Sequence, residues 1–509
     1  MNINRLAAID IGTNSIRSIV VEVKPNGDFR ILDDEKVAVR LGEGLNEHGL
    51  IIPAAMDRAI DALVRLKKII DGYGVHAIEA VATSAVRKAA NGHDFIKKIK
   101  DTIDLKVEII SGESEAELAA LSAFNNFEFE NARLLLADIG GGSLELVSTV
   151  GHHIEQVVSL DLGAVYLTEL FLKNDPVSAN DIQNLRKHIR KTLRSSFIEE
   201  RPVIQGLIGS GGTITAIAAM TMALRKEGYQ SVHGYELLRS DVVHLHAMLT
   251  RKTMKERREI PGLNPDRADI IIAGITVIDE LMEFFQANLL RVNERGIREG
   301  LILRAVRKHG LLKGQKTPRS WQSSVMEFAR SCHFDEQHSL HVARLATDIC
   351  KVLATVYKLG DTELRLLEAA AILHDIGYFI NYSSHHKHSY HLIRHADLIG
   401  FTPRERELIA QIARYHRKAL PKKKHEQYLR LSADDRLRVA RLGGILRLAD
   451  GLDRRRNSLV TGIECLLSPS KFVIRLTGAT ELSVELFGAK VKGDLFQEAF
   501  QLKLIVEAL

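Results

Sequence analysis

The sequence predicts an α/β protein with two related halves, followed by an all-α region and a small α+β tail. A strand, a glycine-rich turn and a second strand occur twice, with 128 positions between the copies. A helical region follows them, and short alternating segments at 472–476 and 481–486 predict strands near the C-terminus, with a helix near Phe496. We expect the two α/β halves at 1–128 and 129–306, a linker at 307–319, the helical domain at 320–459 and the tail at 460–509.

The composition is that of a soluble globular protein in a reducing compartment. Hydrophobic residues make up 45% and charged residues 26% of the 509 positions, which is ordinary for such proteins. The three cysteines, Cys332, Cys350 and Cys465, are too few and too widely spaced to predict a disulfide framework. The apolar N-terminal stretch is interrupted at Asp10, and no uncharged run approaches the roughly 20 residues of a membrane span. We therefore expect a cytoplasmic protein without a signal peptide or a membrane partner.

The positive charge is concentrated in one stretch of the chain. The formal net charge is +6, but residues 404–456 alone hold 16 Lys or Arg and 7 Asp or Glu. Such a segment favours polyanionic ligands, among them polyphosphate, nucleic acid and anionic lipid. A solvated helical face accounts for the same pattern. Charge alone does not select a partner, and we expect no specific nucleic-acid binding.

The repeat places an aspartate and a turn of small residues at the end of a strand in each half. Asp10 closes the first strand, and Asp138 closes the equivalent strand of the second copy. Small residues let backbone N–H groups approach a phosphate, and the aspartate can hold a divalent cation beside it. One such turn is also typical of a plain hairpin, whereas two matched copies favour phosphate binding. The candidate residues beside Asp10 and Asp138 are Gly12, Thr13, Asn14 and Ser15 in the first turn and Gly140, Gly141, Gly142 and Ser143 in the second.

Two common phosphate-binding motifs are excluded for these turns. Neither turn is followed by Gly-Lys-Ser/Thr, so neither is a Walker loop, and a strand instead of a helix follows each, which excludes a dinucleotide fingerprint. A third turn, with Gly211, Gly212 and Thr213, follows an apolar segment at 203–208 and precedes a helical pattern. Because helix N-termini attract anions, this turn is a further candidate phosphate site.

Eight segments carry a resemblance to a known family, in the order in which that family has them. Together they resemble the Ppx/GppA family of exopolyphosphatases and guanosine pentaphosphate phosphohydrolases, within the acetate kinase, sugar kinase, Hsp70 and actin superfamily. The resemblance covers about residues 1–305 and implies two ribonuclease H-like domains. The segments are AIDIGTNSIR at 8–17, ATSAVRKA at 82–89, IISGESEAEL at 109–118, ADIGGGSLELV at 137–147, LGAVYLTELF at 162–171, GSGGTITAI at 209–217, IPGLNPDRADIIIAG at 260–274 and GIREGLIL at 296–303.

The resemblance also implies an activity. The expected reaction is hydrolysis of the terminal phosphate of inorganic polyphosphate, or of the 5′-terminal phosphate of guanosine pentaphosphate, by a homodimer with Mg²⁺ or Mn²⁺ bound. The sequence does not separate the two substrates, because both end in a phosphoanhydride that would occupy the same turns. A kinase of the same superfamily, which would use ATP, and a non-catalytic polyanion or alarmone sensor are the alternatives.

The resemblance assigns roles to acidic residues and one arginine. Hydrolysing a phosphoanhydride requires an oriented water, a base near it and cations over the phosphate oxygens. The acidic residues of segment 112–117 stand at a helix start, where the helix dipole alone favours them. The resemblance nevertheless places the general base at Glu115 and a phosphate-clamping arginine at Arg87. It places Mg²⁺ at Asp138 and Glu145.

The helical region has a separate candidate metal site. His341, the adjacent pair His374 and Asp375, and the later Asp450 occur in the order found in HD domains, which they resemble. Imidazole and carboxylate ligands from separate helices suit a transition metal. An isolated histidine in a helix is usually structural, and many Ppx/GppA members keep this domain after losing its ligands. Four further histidines are candidates for a second metal position: His385, His386, His388 and His416.

Overall fold

The computed structural model describes residues 2–129, 132–197, 201–312, 320–422, 424–478 and 481–509. They form two compact units, the first comprising 1–226 and 232–318 and the second 227–231 and 319–509. None of the helices in the described ranges is long and apolar enough to cross a bilayer.

The strands form three sheets. The first sheet holds β1–β5, the second holds β6–β11 and the third, in the second unit, holds β12–β14. The strands are β1 (Asn2–Ile11), β2 (Ser15–Val23), β3 (Phe29–Ala38), β4 (Val75–Ala82), β5 (Val107–Ile109), β6 (Arg133–Ile139), β7 (Leu144–Val150), β8 (His153–Leu160), β9 (Gly206–Ser210), β10 (Glu236–Leu238), β11 (Leu289–Val292), β12 (Val460–Leu467), β13 (Lys471–Gly478) and β14 (Lys503–Ala508).

Helices cover the sheets of the first unit and make up most of the second. Short 3-10 helices lie at Pro265–Arg267 and Ile376–Phe379. The α-helices are α1 (Leu45–His48), α2 (Pro53–Gly72), α3 (Ser84–Lys88), α4 (Gly92–Ile103), α5 (Gly112–Asn126), α6 (Ala164–Phe171), α7 (Ala179–Ser196), α8 (Gly212–Leu224), α9 (Arg239–Thr250), α10 (Met254–Arg258), α11 (Ile271–Phe284), α12 (Ile297–Lys308), α13 (Trp321–Ser331), α14 (Glu336–Tyr357), α15 (Asp361–Leu373), α16 (His385–His395), α17 (Pro403–Arg414), α18 (Glu426–Leu429), α19 (Ala433–Gly451), α20 (Ser483–Lys492) and α21 (Asp494–Phe500).

The two sheets of the first unit share one topology, which confirms the predicted repeat. The first has the order β3-β2-β1-β4-β5, and the second has β8-β7-β6-β9-β11 with β10 added at its edge. In each sheet, the first three strands of this order pair antiparallel with their neighbours. The next two strands run parallel to the central strand, which is β1 in the first sheet and β6 in the second. This is the ribonuclease H-like order, so the predicted α/β class and its duplicated architecture are confirmed.

The central strand β1 is buried on both faces. Ala7 and Ile9 contribute to a core with α2 and α4, and Leu6 and Ala8 contribute to a second core with α12. Successive side chains of a strand point to opposite faces, so the apolar run at 6–9 requires cover on both sides. This burial fixes the position of Asp10 at the end of the strand.

Two helices cross between the halves of the first unit. Helix α5 contributes Ala116 and Ala120 to a core with the second sheet, while α12 packs on the first sheet although it follows the second in the chain. A Cβ at Gly300 of α12 would lie 2.1 Å from the carbonyl oxygen of Leu118 in α5, so only glycine permits this close crossing. The boundaries expected at 128 and 306 stay predictions.

The second unit combines helices with a small sheet around one core. Apolar residues of α14, α15, α17 and α19 pack together with Phe472, Ile474 and Phe496 of the C-terminal segment. The predicted strand near 472–476 is present as β13, and the helix expected near Phe496 is α21. The boundary expected at 459 stays a prediction.

One expectation about local structure is corrected. The alternating segment 481–486 suggested a strand, but most of it belongs to helix α20, which crosses α19 where Gly488 meets Gly451. This tertiary contact overrides the local pattern. The expected linker at 307–319 begins inside α12, which extends to Lys308, and positions 313–319 lie outside the described residues.

Candidate active site and metal-ligand cluster

The two repeated hairpins place charged residues opposite one another. Asp10 faces Arg17 across β1 and β2, and at the equivalent positions Asp138 faces Glu145 across β6 and β7. Directly opposed residues of an antiparallel pair point to the same face of the sheet. The second hairpin therefore brings two carboxylates side by side, where like charges repel each other.

The turns of the hairpins expose backbone N–H groups. In each turn the first glycine, Gly12 or Gly140, donates its N–H back to the carbonyl of Ser15 or Ser143, at 3.2 and 3.0 Å. Within the described ranges, the N–H groups of the two central residues of each turn donate no hydrogen bond. Such unpaired amides form a concave site for an anion. The four residues are Thr13, Asn14, Gly141 and Gly142.

The two turns lie against each other. A Cβ at Gly142 would be 2.5 Å from the Ser84 hydroxyl and 2.9 Å from the Thr13 hydroxyl. At Gly140 the nearest other atom would be 3.5 Å away. Glycine at 142 therefore permits the contact between the turns, and a larger residue there would separate them.

The turns and the strand ends enclose a cleft with a volume of about 480 Å³. Thr213 does not line it, because its side chain is fully buried against Gly274, and Thr215 lines it instead. Arg87 is absent from its wall as well. The predicted residues that line the cleft are Asp10, Gly12, Thr13, Asn14, Ser15, Glu115, Asp138, Gly140, Gly141, Gly142, Ser143, Glu145, Gly211 and Gly212.

Glu115 is held in the first turn of α5. Ser111 caps this helix by accepting a hydrogen bond from the Ser114 N–H at 3.1 Å. The Glu115 side chain is buried, whereas Glu113 and Glu117 on the same helix are exposed. Arg87 donates from Nη1 to Glu115 Oε2 at 3.2 Å and to the Ile110 carbonyl at 2.7 Å. In this structure Arg87 orients Glu115.

Burial raises the pKa of four carboxyl groups of the cleft. Burial, reinforced by the Glu145 carboxyl, raises the pKa of Glu115 well above its usual range. Burial raises the pKa of Glu145 to about 8, and burial with the nearby Asp10 raises that of Asp138 to about 6. Burial also raises the pKa of Asp10, whose Oδ1 atom has no hydrogen-bond partner among the described residues. A cation beside these groups would remove the cost of ionising them.

Several cationic residues of the cleft are missing from the set predicted by sequence. Arg17, Lys36, Arg267 and Arg298 line the wall, and burial lowers the pKa of Lys36 to about 8 and that of Arg267 to about 10. Arg298 is bound to Asp34 and to the Ser18 carbonyl. Arg17 had a signal in the sequence, because it occupies the repeat position of Glu145. Arg267 and Arg298 lie in the segments 260–274 and 296–303 that carry the family resemblance, whereas Lys36 lies in none of the eight segments.

The family follows from direct comparison with known proteins. Residues 19–309 match the Ppx/GppA phosphatase family, and residues 321–484 match the description "Ppx/GppA phosphatase, domain III". The chain belongs to the Ppx/GppA phosphatase family. The activity predicted from the sequence, that of a Ppx/GppA hydrolase, is supported by the names of its relatives.

Three relatives illustrate this similarity. A guanosine-5′-triphosphate,3′-diphosphate pyrophosphatase of Vibrio vulnificus is 29% identical over 88% of this chain and 87% of the relative. A solved exopolyphosphatase of Cytophaga hutchinsonii is 30% identical with a TM-score of 0.56, covering 61% of this chain and 100% of that one. The Aquifex aeolicus Ppx/GppA family member is 30% identical with a TM-score of 0.52, covering 60% of this chain and 98% of that one.

The helical unit of this Ppx/GppA protein contains a cluster of buried histidines and aspartates. His374, Asp375 and Asp450 are brought together as predicted. The histidine of α14 that joins them is His338, while His341, one turn later, is in neither group of neighbouring ligand atoms. His416, a candidate from the sequence, lies beside His374 and Asp375. The structure therefore does not bring His341 together with the other predicted ligands and places His338 beside them instead.

Burial and the neighbouring carboxylates act in opposite directions on the imidazoles of this cluster. Burial alone lowers the pKa of His338, but the carboxylates of Asp450 and Asp453 raise it to about 9. Burial lowers the pKa of His374 and, more strongly, that of His416. The cluster is therefore a set of buried charges and nitrogen lone pairs, an arrangement that is costly unless its members are paired.

The basic segment 404–456 is partly neutralised within the second unit. Arg404 pairs with Asp435 at 2.9 Å, Arg447 with Asp494 at 2.6 Å and Arg455 with Glu485 at 2.5 Å. Two of these acids, Asp494 and Glu485, lie outside the segment. The charge counted along the sequence therefore overstates the number of cations available to a polyanion.

Proposed function

We propose that the cleft of the first unit removes the terminal phosphate of inorganic polyphosphate or of guanosine pentaphosphate by water attack. The observation that carries this proposal is the meeting of two amide-lined turns with the buried carboxyl groups of Glu115, Asp138 and Glu145 and the half-buried Asp10. The amides suit phosphate oxygens, and the carboxyl groups suit a base and a cation.

The donor set fits a hard divalent cation. Asp138 and Glu145 are opposed across two strands, and Asp10 adds a buried oxygen without a hydrogen-bond partner among the described residues. Mg²⁺ and Mn²⁺ prefer such oxygen ligands. When bound, Mg²⁺ would stabilise the negative charge that develops on the phosphate oxygens. The predicted Asp138 and Glu145 ligands stay a proposal.

Each side chain then has one role. The amides of the two turns hold the terminal phosphate, and Glu115 accepts the proton of the attacking water. Arg87 holds the Glu115 carboxylate in position, and direct contact between Arg87 and phosphate remains a prediction from the resemblance. The burial that raises the pKa of Glu115 also makes its carboxylate a stronger base once it is ionised.

The names of the relatives support hydrolysis over the alternatives. One solved relative is named an exopolyphosphatase, and the curated relatives carry the name of a guanosine pentaphosphate hydrolase. Neither name is that of a kinase or a non-catalytic sensor. The cytoplasmic location and the homodimer stay predictions, and sedimentation of the full chain tests the latter.

A substrate comparison tests the proposal. Phosphate release is measured from long polyphosphate, short polyphosphate and guanosine pentaphosphate, each with and without Mg²⁺. We expect Mg²⁺-dependent release from at least one of them and no transfer of phosphate to an added acceptor. Transfer from ATP to an acceptor without hydrolysis of any of the three would refute it.

A further inference from the structure

We propose that Lys88 positions the second glycine-rich turn, at 140–143, for phosphate binding, a role that rests on the proposed function and deepens it. Lys88 ends the short helix α3, which follows β4 of the first sheet, whereas the turn joins β6 and β7 of the second sheet. The Lys88 ammonium donates a hydrogen bond to the Gly142 carbonyl at 3.3 Å. Lys88 is absent from the described residues that line the cleft, so it acts through the turn.

Each N–H group of the turn is coupled to the carbonyl of the preceding residue. The C=O group of one residue and the N–H group of the next belong to one planar trans peptide and point in nearly opposite directions. A hydrogen bond that anchors the carbonyl therefore sets the direction of the N–H group that follows it. The carbonyls of residues 140, 141 and 142 control three N–H groups of the turn in this way.

The first two of these carbonyls are held by the start of α6. Ala164 donates its N–H to the Gly140 carbonyl at 3.1 Å. Val165 and Tyr166 donate theirs to the Gly141 carbonyl at 2.8 and 3.1 Å. The first N–H groups of a helix have no acceptor within the helix, so they are available for this contact. The two N–H groups that follow these carbonyls in the turn therefore point away from α6.

The third carbonyl, that of Gly142, depends on Lys88. Within the described ranges, no backbone N–H group donates to it. The Ser143 N–H, which belongs to the same peptide, donates no hydrogen bond to any described residue, and Ser143 lines the cleft. The hydrogen bond from Lys88 therefore sets the direction of the last free N–H group of this turn.

The first turn shows how the equivalent peptide is held without a lysine. Asn14 occupies the repeat position of Gly142, and its carbonyl accepts hydrogen bonds from the N–H groups of Val39 and Arg40 at 3.1 and 2.9 Å. Both donors are backbone groups that directly follow β3 of the same sheet. The second turn instead receives its donor from a side chain attached to the other sheet. Its alignment therefore depends on contact with α3.

The Lys88 side chain is itself held by two groups of the second half. Its ammonium forms an ion pair with Asp161 and lies 5.0 Å from the centroid of the Tyr166 ring. Asp161 directly follows β8, and Tyr166 belongs to α6, which also holds the turn. An ion pair and a cation–π contact together restrict the ammonium to a position from which it reaches Gly142.

The test measures binding of inorganic phosphate to the full-length chain by calorimetry with Mg²⁺ present, together with KM and kcat on the best substrate. Lys88→Met keeps the length of the side chain but removes the donor. We expect weaker phosphate binding and a higher KM, each by about tenfold or more, because a hydrogen bond that involves a charged group is lost. The turn holds substrate and transition state alike, so kcat should stay within about threefold. Lys88→Arg restores a charged donor and should recover most of the affinity.

Two further variants separate positioning from a simple attraction of charges. Asp161→Asn makes the surroundings more positive but releases the Lys88 ammonium. Positioning predicts phosphate binding weakened by about threefold, the usual size of an exposed ion-pair effect, whereas attraction alone predicts tighter binding. Lys98→Met is the matched control, because Lys98 pairs with Asp57 at 2.8 Å at an exposed position, and it should bind phosphate normally. Far-UV circular dichroism and melting confirm the fold of each variant.

The binding measurement requires no turnover, so the positioning role and the proposed function can fail separately. Normal phosphate binding by a folded Lys88→Met protein would overturn the positioning role, as would tighter binding by Asp161→Asn or a Lys88→Arg protein no better than Lys88→Met. A wild-type chain that binds phosphate through Lys88 but hydrolyses no substrate would refute only the proposed function. A wild-type chain that binds no phosphate would overturn both.

Discussion

Replacing Glu115 by glutamine removes an ionisable group from the cleft while keeping the shape of the side chain. The amide oxygen of the substituted side chain can still accept the hydrogen bond that Arg87 donates to Glu115 Oε2 at 3.2 Å. The amide cannot accept a proton from water. The substitution therefore tests the basicity of this residue separately from its packing.

The structure predicts opposite effects of this change on catalysis and on stability. Loss of a general base lowers kcat by about 10²- to 10⁴-fold, which corresponds to roughly 3–5 kcal/mol of barrier. Burial and the Glu145 carboxyl disfavour the charged form of Glu115, so that its pKa is raised. A neutral amide removes this repulsion, and we expect a melting temperature that is unchanged or higher, with phosphate-binding affinity preserved.

The assay measures kcat and KM for the best substrate together with thermal melting. Glu113→Gln and Glu117→Gln are matched controls, because they remove the same charge from exposed positions of the same helix. Both controls should keep kcat within about twofold, since exposed charges contribute little. A Glu115→Gln protein with near-normal kcat would refute the assignment of the base, and equal losses in all three variants would point to a field effect of α5 instead.

Three further predictions concern the turns, the pH response and the second unit. Gly142→Ala should raise KM about tenfold or more, because the added Cβ would clash with Ser84 and Thr13. Gly140→Ala adds a Cβ where no other atom is close, so KM should change little, and equal effects of the two variants would contradict the predicted contact between the turns. Without divalent cations, the free energy of unfolding of the first unit should fall as pH rises from about 5 to 8, because burial raises the folded-state pKa of Glu145 to about 8 from 4.5. Glu145→Gln should flatten this pH dependence, and an unchanged slope in the variant would exclude Glu145 as its cause. Truncation after about residue 310 should preserve hydrolysis of short polyphosphate but weaken processive digestion and salt-sensitive binding of long polyphosphate. A truncated protein that binds long polyphosphate equally well would show that the basic segment does not contact the substrate.

The sequence by itself determined the duplicated fold and the two glycine-rich turns of the cleft. The two aspartate-plus-turn segments recur at one spacing, and strand periodicity with buried β-branched residues gives the same hairpin wherever it occurs. The local pattern therefore contained the positions of Asp10, Asp138 and the turn residues. Glu115 came from the resemblance, because acidic residues at a helix start have an equally good local explanation in the helix dipole.

Where the local pattern offers more than one candidate residue, only the tertiary structure decided which side chain joins a site. His338 and His341 are three residues apart on α14, which places both near one face of the helix. Helix packing brings His338 against Asp450 and leaves His341 beside Arg344. In the same way, most of the alternating segment 481–486 belongs to α20, which packs against α19 where Gly488 meets Gly451. The spacing of residues along the chain determines which side chains share a face of a helix or strand. Contacts between distant segments depend on how their surfaces fit together, and no single segment contains that information.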